Sequence, residues 1–207
     1  MCNCMNKGCS SCTGQEWVHC GNKCFSLGPF RATTSVCPPI NTGSIIPFSS
    51  GTDVVGLLTD ATGTVTGVTA VGFGTAVPGI TPAADGTITL PIGTTEAFNV
   101  PRTGTITAIS GTFTVTGTPT VPAGSTSTIT ARIYRAPAGS STFTPTNAFV
   151  NLTPTVSDTV AGGTVYQGTA SANVPVVPGD RLIMIFSVAG SPSVTLEGTA
   201  TAGITIS

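Results

Sequence analysis

The sequence predicts an all-β protein: an antiparallel two-sheet sandwich of jelly-roll type, carried behind an extended N-terminal segment. Three observations predict it. Short runs rich in Val, Ile and Thr recur from Ile45 onward, each cut by Gly, Pro, Asn or Ser, which is strand punctuation. Several runs alternate apolar and polar residues with the two-residue period of a half-buried strand. No run shows a convincing helical pattern. Counting from Ile45 gives about eight to ten strands, with turns between them; a closed barrel is the alternative arrangement.

The N-terminal segment, residues 1–40, holds every cysteine of the chain: Cys2, Cys4, Cys9, Cys12, Cys20, Cys24 and Cys37. Three readings compete for them. Cys9-x2-Cys12 and Cys20-x3-Cys24, with His19 nearby, have loose zinc-ligand spacing. An intrachain disulfide knot leaves one thiol over, because seven is odd. Intermolecular disulfides use the odd count and the terminal position of Cys2 and Cys4, and this reading is favoured. A redox pair at Cys9-Ser10-Ser11-Cys12 is disfavoured, since neither flank reads as the strand and helix that lower a thiol pKa.

Trp17, Val18, Phe25, Leu27 and Phe30 give this segment bulky apolar side chains at irregular spacing. An extended tail of this kind docks along a sheet edge or groove of a neighbouring subunit, or else covers its own body. Cys37-Pro38-Pro39 closes the segment with a stiff, extended stretch. The body, residues 41–207, follows.

In the body, Gly43–Gly51, Val54–Leu58 and Gly67–Gly74 are the first strand-like runs. Thr105–Val115 alternates, but Ile106 and Ala108 have the opposite parity to Ile109, Phe113 and Val115, which implies a bulge or burial on both faces. Thr128–Tyr134 puts Ile129, Ala131 and Ile133 on one face, with Thr128, Thr130, Arg132 and Tyr134 on the other. After the turn Pro178-Gly179-Asp180, Leu182–Phe186 is a continuous apolar run that demands cover on both faces; in an oligomer the second cover is another subunit. From Val194 to Ile206 every even position is apolar or glycine, so the last run should lie in a sheet with one face buried.

Only 7% of residues are charged and the net charge is −1, against roughly 25% charged in an average soluble domain. A surface with so little repulsion tends to associate, and self-assembly is the expected outlet. The body's arginines, Arg102, Arg132, Arg135 and Arg181, are dispersed, whereas nucleic acid requires several cations on one surface. No nucleic-acid partner is expected. No apolar run approaches the roughly 20 residues of a membrane span, and Met1–Lys7 lacks the apolar stretch of a secretory signal. These features predict a chain made in the cytoplasm without a secretory signal, and no membrane partner.

Catalytic chemistry finds little footing. The one histidine, His19, stands away from any Gly-x-Ser-x-Gly elbow, and Asp53, Asp60, Asp85, Glu96, Asp158, Asp180 and Glu197 show no paired spacing. Gly72-Phe73-Gly74 lacks the lysine of a phosphate loop. No catalytic residue, cofactor or resident metal is expected, and the protein is not expected to be an enzyme.

Four stretches resemble the C-terminal globular domain of the collagen-like exosporium glycoproteins of spore-forming bacilli. They are Gly43–Gly51, Val71–Gly74, Phe98–Ile106 and Pro178–Val188, and the resemblance covers about residues 43–207. It implies a jelly roll similar to tumour-necrosis-factor domains, trimeric and on the spore surface. No Gly-X-Y repeat precedes the domain, and the cysteine-rich segment stands in its place. In that respect the chain looks like the subunits of endospore appendages, although it has no adjacent Cys-Cys pair. The resulting expectation is a structural subunit of a spore-surface fibre, trimerising through the sandwich and joining head to tail through residues 1–40 with disulfide crosslinks. A coat- or exosporium-anchored tip or binding module that does not polymerise is the alternative, and a coat anchor protein is a candidate partner.

Overall fold

The computed structural model of the 207-residue chain describes residues 43–207. They form thirteen strands. In order these are β1 (Ser44–Ser49), β2 (Val55–Thr59), β3 (Val65–Val71), β4 (Ala76–Ile80), β5 (Ile88–Thr89), β6 (Phe98–Asn99) and β7 (Gly104–Val115). After them come β8 (Thr126–Ala136), β9 (Thr142–Asn151), β10 (Val156–Ser157), β11 (Val165–Val176), β12 (Arg181–Ala189) and β13 (Thr195–Ile206). Strands β5, β6 and β10 have two residues each; without them ten remain, the upper end of the expected count. No helix occurs among the described residues.

Every strand pairing is antiparallel, and the pairings form two layers. In the first sheet β1 and β2 lie along one side of β13, followed by β7 and then β11. The second runs from β4 through β3, β12 and β8 to β9. Strand β3 joins the layers, pairing with β2 at Val65 and Gly67 and with β12 from Thr69 to Val71. Grouping β1 with β2, β3 with the short strands after it, and β9 with β10 leaves eight runs. The first run neighbours the eighth, the eighth the third and the third the sixth; opposite, the second neighbours the seventh, then the fourth, then the fifth. That is the order of a jelly roll with two Greek keys.

Alternation decides which residues enter the core between the layers. Val194, Leu196, Ala200, Ile204 and Ile206 are buried, as the even positions require, and Ile129, Ala131 and Ile133 of β8 are buried opposite them. The parity break in β7 is a bulge. Ala108 pairs with Thr205 and Ile106 with Ile206, leaving Thr107 without a partner. The extra residue turns both Ile106 and Ile109 inward, where each is almost fully buried.

Strand β12 is buried on both faces from Leu182 to Phe186, as its composition requires. Its second cover, however, comes from its own chain and not from another subunit. Ile183 and Ile185 pack on the outer side of the second sheet in a small cluster with Ile80, Ile88, Phe143 and Val68. The excursion through β4 and β5 is long enough to fold across that face, and it removes the need for a partner there.

Prolines mark the edges. Among the described strands, Pro occurs only in β1 (Pro47), β4 (Pro78), β9 (Pro145) and β11 (Pro175); β1, β4 and β11 are border strands, and β9 has only the two-residue β5 on its outer side. Pro has no N–H for a ladder, so it is tolerated where one side of a strand is open, and it blunts edge-to-edge association.

Gly198 of β13 is crowded by β7, its neighbour in the same sheet: a Cβ there would meet the Thr114 carbonyl oxygen and lie 2.7 Å from Phe113 Cζ. Gly198→Ala is expected to cost about 1–3 kcal/mol by overpacking. For a domain of this size that lowers Tm by about 2–4 °C per kcal/mol in a calorimetric scan. Gly56→Ala is the contrasting case, since its Cβ would make an ordinary 3.8 Å contact with Pro78. That change should leave Tm unchanged or raise it by stiffening the unfolded chain.

Acid lability should trace to the turns. The Thr62 hydroxyl, then the N–H groups of Thr62 and Thr64, donate to Asp60 and hold its pKa below 3.8; the Thr87 N–H and hydroxyl do the same for Asp85. A carboxyl whose pKa is lowered on folding stabilises the fold above its unfolded value and loses that contribution as pH falls through the lowered one. Melting curves should therefore show midpoints dropping below about pH 4, with a shallower drop in Asp60→Asn.

Candidate assembly surface

Among the described residues nothing comparable covers the outer face of the first sheet. Register fixes its side chains in rows across β1, β13, β7 and β11. One row is Ile45, Thr205, Ala108 and Ser171; the next is Pro47, Gly203, Ser110 and Thr169. Ser49, Thr201, Thr112 and Gln167 follow, and then Thr199, Thr114 and Val165. Every one of these residues is partly or fully exposed, and none is charged. The face is a lattice of hydroxyls and small side chains, with Ile45 (76% exposed) and Val165 (46%) at its two borders.

Small side chains allow close approach, and hydroxyls act as both donors and acceptors, so such a face is complementary to a copy of itself. At its β11 side lies a shallow depression of about 410 Å³ between Ser110, Thr112, Thr153, Gln167 and Thr169. The outer face of the second sheet differs in kind. Arg132 lies 4.6 Å from the centre of the Phe149 ring and Arg181 5.2 Å from that of Phe143. Burial pushes the Tyr134 hydroxyl up, against the lowering effect of Arg132.

Charge is sorted along the strand direction. At the end where the chain enters β1, Arg102 donates to Ser44, while Arg135 donates to the Pro175 carbonyl and lies 3.8 Å from Asp180. Arg181 opens β12 at the same end. The opposite end holds Asp60, whose turn accepts the Ser193 N–H, Asp158, which accepts the Gly124 N–H, and Glu197. The sandwich thus has an acidic end and an end where three arginines outnumber Asp180.

The acids that show no paired spacing in sequence are occupied with local structure. Asp53 accepts the Ala76 N–H, Asp85 caps Thr87 and Asp180 accepts the Val177 N–H. Glu96 is buried, with the Thr75 hydroxyl 3.4 Å from one oxygen and no partner on the other. Among the described residues no three His, Cys, Asp or Glu side chains come close enough to hold a metal ion.

The residues singled out for joining subunits lie outside the described residues. These are the crosslink candidates Cys2, Cys4, Cys9, Cys12, Cys20, Cys24 and Cys37, and the docking anchors Trp17, Phe25, Leu27 and Phe30. Sequence reasoning placed Thr128 and Thr130 on the outward face of one run, now β8 of the second sheet, and did not find the strands that share the hydroxyl face of the first. Strand β11 supplies its border and was not singled out, because its inward positions in the middle are only Gly168, Ala170 and Ala172, although its burial alternates. The available signal was Pro175 near the end of a run free of charge.

No family matches the chain, and no curated protein matches it. Among solved structures it is similar to Eiger TNF from S. frugiperda, at 12% identity and a TM-score of 0.38, over 79% of this chain and 92% of that one. The jelly-roll assignment rests on the strand order, and the collagen-like exosporium domains expected from the sequence are not among these matches.

Proposed function

We propose that the protein is a structural subunit that self-associates through the outer face of the first sheet and joins into a fibre through residues 1–40, with no catalytic role. The observation that carries this reading is the bare face itself: four uncharged rows of Thr, Ser, Gly and Ala, beside a second sheet that the chain covers for itself. A three-fold arrangement and a place on the spore surface are what the resemblance to exosporium domains implies. Polarity supports head-to-tail stacking, because an arginine-rich end meets an acidic end favourably whereas two like ends repel. A heterologous contact of that kind that does not close produces an open filament.

The cysteines narrow how such a fibre is locked. None occurs after Cys37, so any disulfide between subunits joins leader to leader and never leader to body. The sandwiches themselves associate by noncovalent contacts alone.

Thr201 sits near the middle of the face, directly opposite Thr112. Replacing it by Arg puts an unpaired charge into the proposed contact, and sedimentation should shift from trimer to monomer while Tm stays within about 1 °C, as for an exposed substitution. A trimer that persists in Thr201→Arg would remove the face from the assembly. Reductant should abolish denaturant-resistant oligomers on a gel and leave the body's Tm unchanged, and Cys2→Ser with Cys4→Ser should weaken them. Wild-type particles that cap and never lengthen under negative stain would exclude the fibre role.

A further inference from the structure

We propose that Glu197 makes association through the outer face of the first sheet depend on ionic strength, a role that rests on the assembly reading above. Copies are held apart at low salt and come together as salt screens the charge. The last of the four rows on that face holds Thr199, Thr114 and Val165. Two residues before Thr199 on β13, Glu197 pairs with Gly56 of β2, and its carbonyl oxygen accepts the Thr116 N–H at 3.0 Å. Side chains two apart on a strand share a face, so Glu197 points outward with Thr199, Thr201 and Thr205. It is exposed.

A Cβ on Gly117 would lie 3.0 Å from Glu197 Oε2 and 3.2 Å from Glu197 Cβ, so the acidic side chain lies over the gap that a glycine leaves. Among the described residues no cation is within ion-pair reach of it. Arg135 is beside Asp180, Arg132 and Arg181 stack on Phe149 and Phe143, and Arg102 donates to Ser44 at the far end of the sheet. Residues 43–207 include no lysine. Asp53, Asp60, Asp85, Asp158 and Asp180 each accept a backbone N–H of a turn or loop; among the described residues the Glu197 carboxylate has no such duty.

Head-to-tail stacking gives a fibre two different ends, which requires every copy in a layer to point the same way. In that arrangement Glu197 of one copy is brought towards the same residue of its neighbours and kept away from their arginines. Strand β13 is the middle strand of the first sheet, with β1 and β2 on one side and β7 and β11 on the other. These carboxylates therefore stand at the acidic border of the contact, near the middle of its width. Like charges brought together across an interface oppose binding, and the repulsion reaches roughly 30 Å at 0.01 M salt but only about 3 Å at 1 M. Copies pointing opposite ways would instead bring Glu197 towards a neighbour's arginine-rich end, and salt would then weaken the contact. The sign of the salt response thus reports the orientation.

The test is sedimentation equilibrium of the full chain under reductant, so that leader disulfides do not hold the copies together, in about 0.01 M and about 1 M sodium chloride. The association constant of the wild type should rise on the order of 10-fold between the two, the scale of a few exposed charge pairs. Glu197→Gln should associate at low salt as tightly as the wild type does at high salt and respond little to salt, with Tm unchanged. Glu197→Asp, which keeps the charge, should retain the response. A flat wild-type response, or one that persists in Glu197→Gln, would overturn the proposal and leave the assembly face standing, provided Thr201→Arg still gives monomer. Association that weakens with salt, and is weaker again in Glu197→Gln, would mean that the carboxylate meets a cation, which overturns the proposal as well. Copies that stay monomeric at both salt concentrations would overturn the face itself and this role with it.

Discussion

A two-layer sandwich has four sheet faces, and each must be either packed or made compatible with water. Two face each other across the main core, where Phe113, Phe186 and Leu57 are fully buried. The third, on the outside of the second sheet, is too apolar to be wet: Ile183, Ile185 and Val68 all point there. The chain covers it with its own excursion through Ile80 and Ile88. Among the described residues nothing covers the fourth, and its composition fits that state, since threonine keeps high strand propensity while supplying a hydroxyl to solvent or to a copy of itself.

Much of this was legible in the sequence wherever one face of a strand is buried. Alternation from Val194 to Ile206 placed β13, and the parity break between Ile106 and Ile109 announced either a bulge or burial on both faces, of which the register shows the bulge, at Thr107. The continuous apolar run Leu182–Phe186 announced a strand packed on both sides. What covers it was not legible. Composition states that Ile183 and Ile185 need partners without saying whose they are, and the answer depends on β4 and β5, short strands with weak patterns of their own. Edge strands were the other blind spot: in β9 and β11 the outward residues are polar and the inward ones are few or small, so neither period nor hydrophobicity stands out.

Proline proves the better guide to those edges. Positions 47, 78 and 175 fall in border strands and position 145 in β9, which has only the two-residue β5 outside it, while β7, β8, β12 and β13 at the centre contain none. The physical cause is the missing N–H, which a strand paired on both sides cannot tolerate. Where the proline falls within an edge then matters as much as its presence. Pro47 interrupts a six-residue strand, whereas Pro175 closes the far end of a twelve-residue one and leaves its middle open.

Placement of sulfur and of charge completes the division of labour. A body without cysteine reaches its fold through burial alone, and at this size burial is sufficient; its stability is therefore indifferent to redox conditions. The residues preceding it carry all seven cysteines and can change covalent state without disturbing the sandwich. In the proposed fibre, association by a weakly adhesive, uncharged face would be reversible and would let misplaced subunits leave. Oxidation of the leaders afterwards would make the chosen arrangement permanent, because a disulfide removes the dissociated state from the accessible ensemble. Separating the two chemistries in sequence would let such an assembly be corrected first and locked second, an order that cysteines placed on the face itself would not allow.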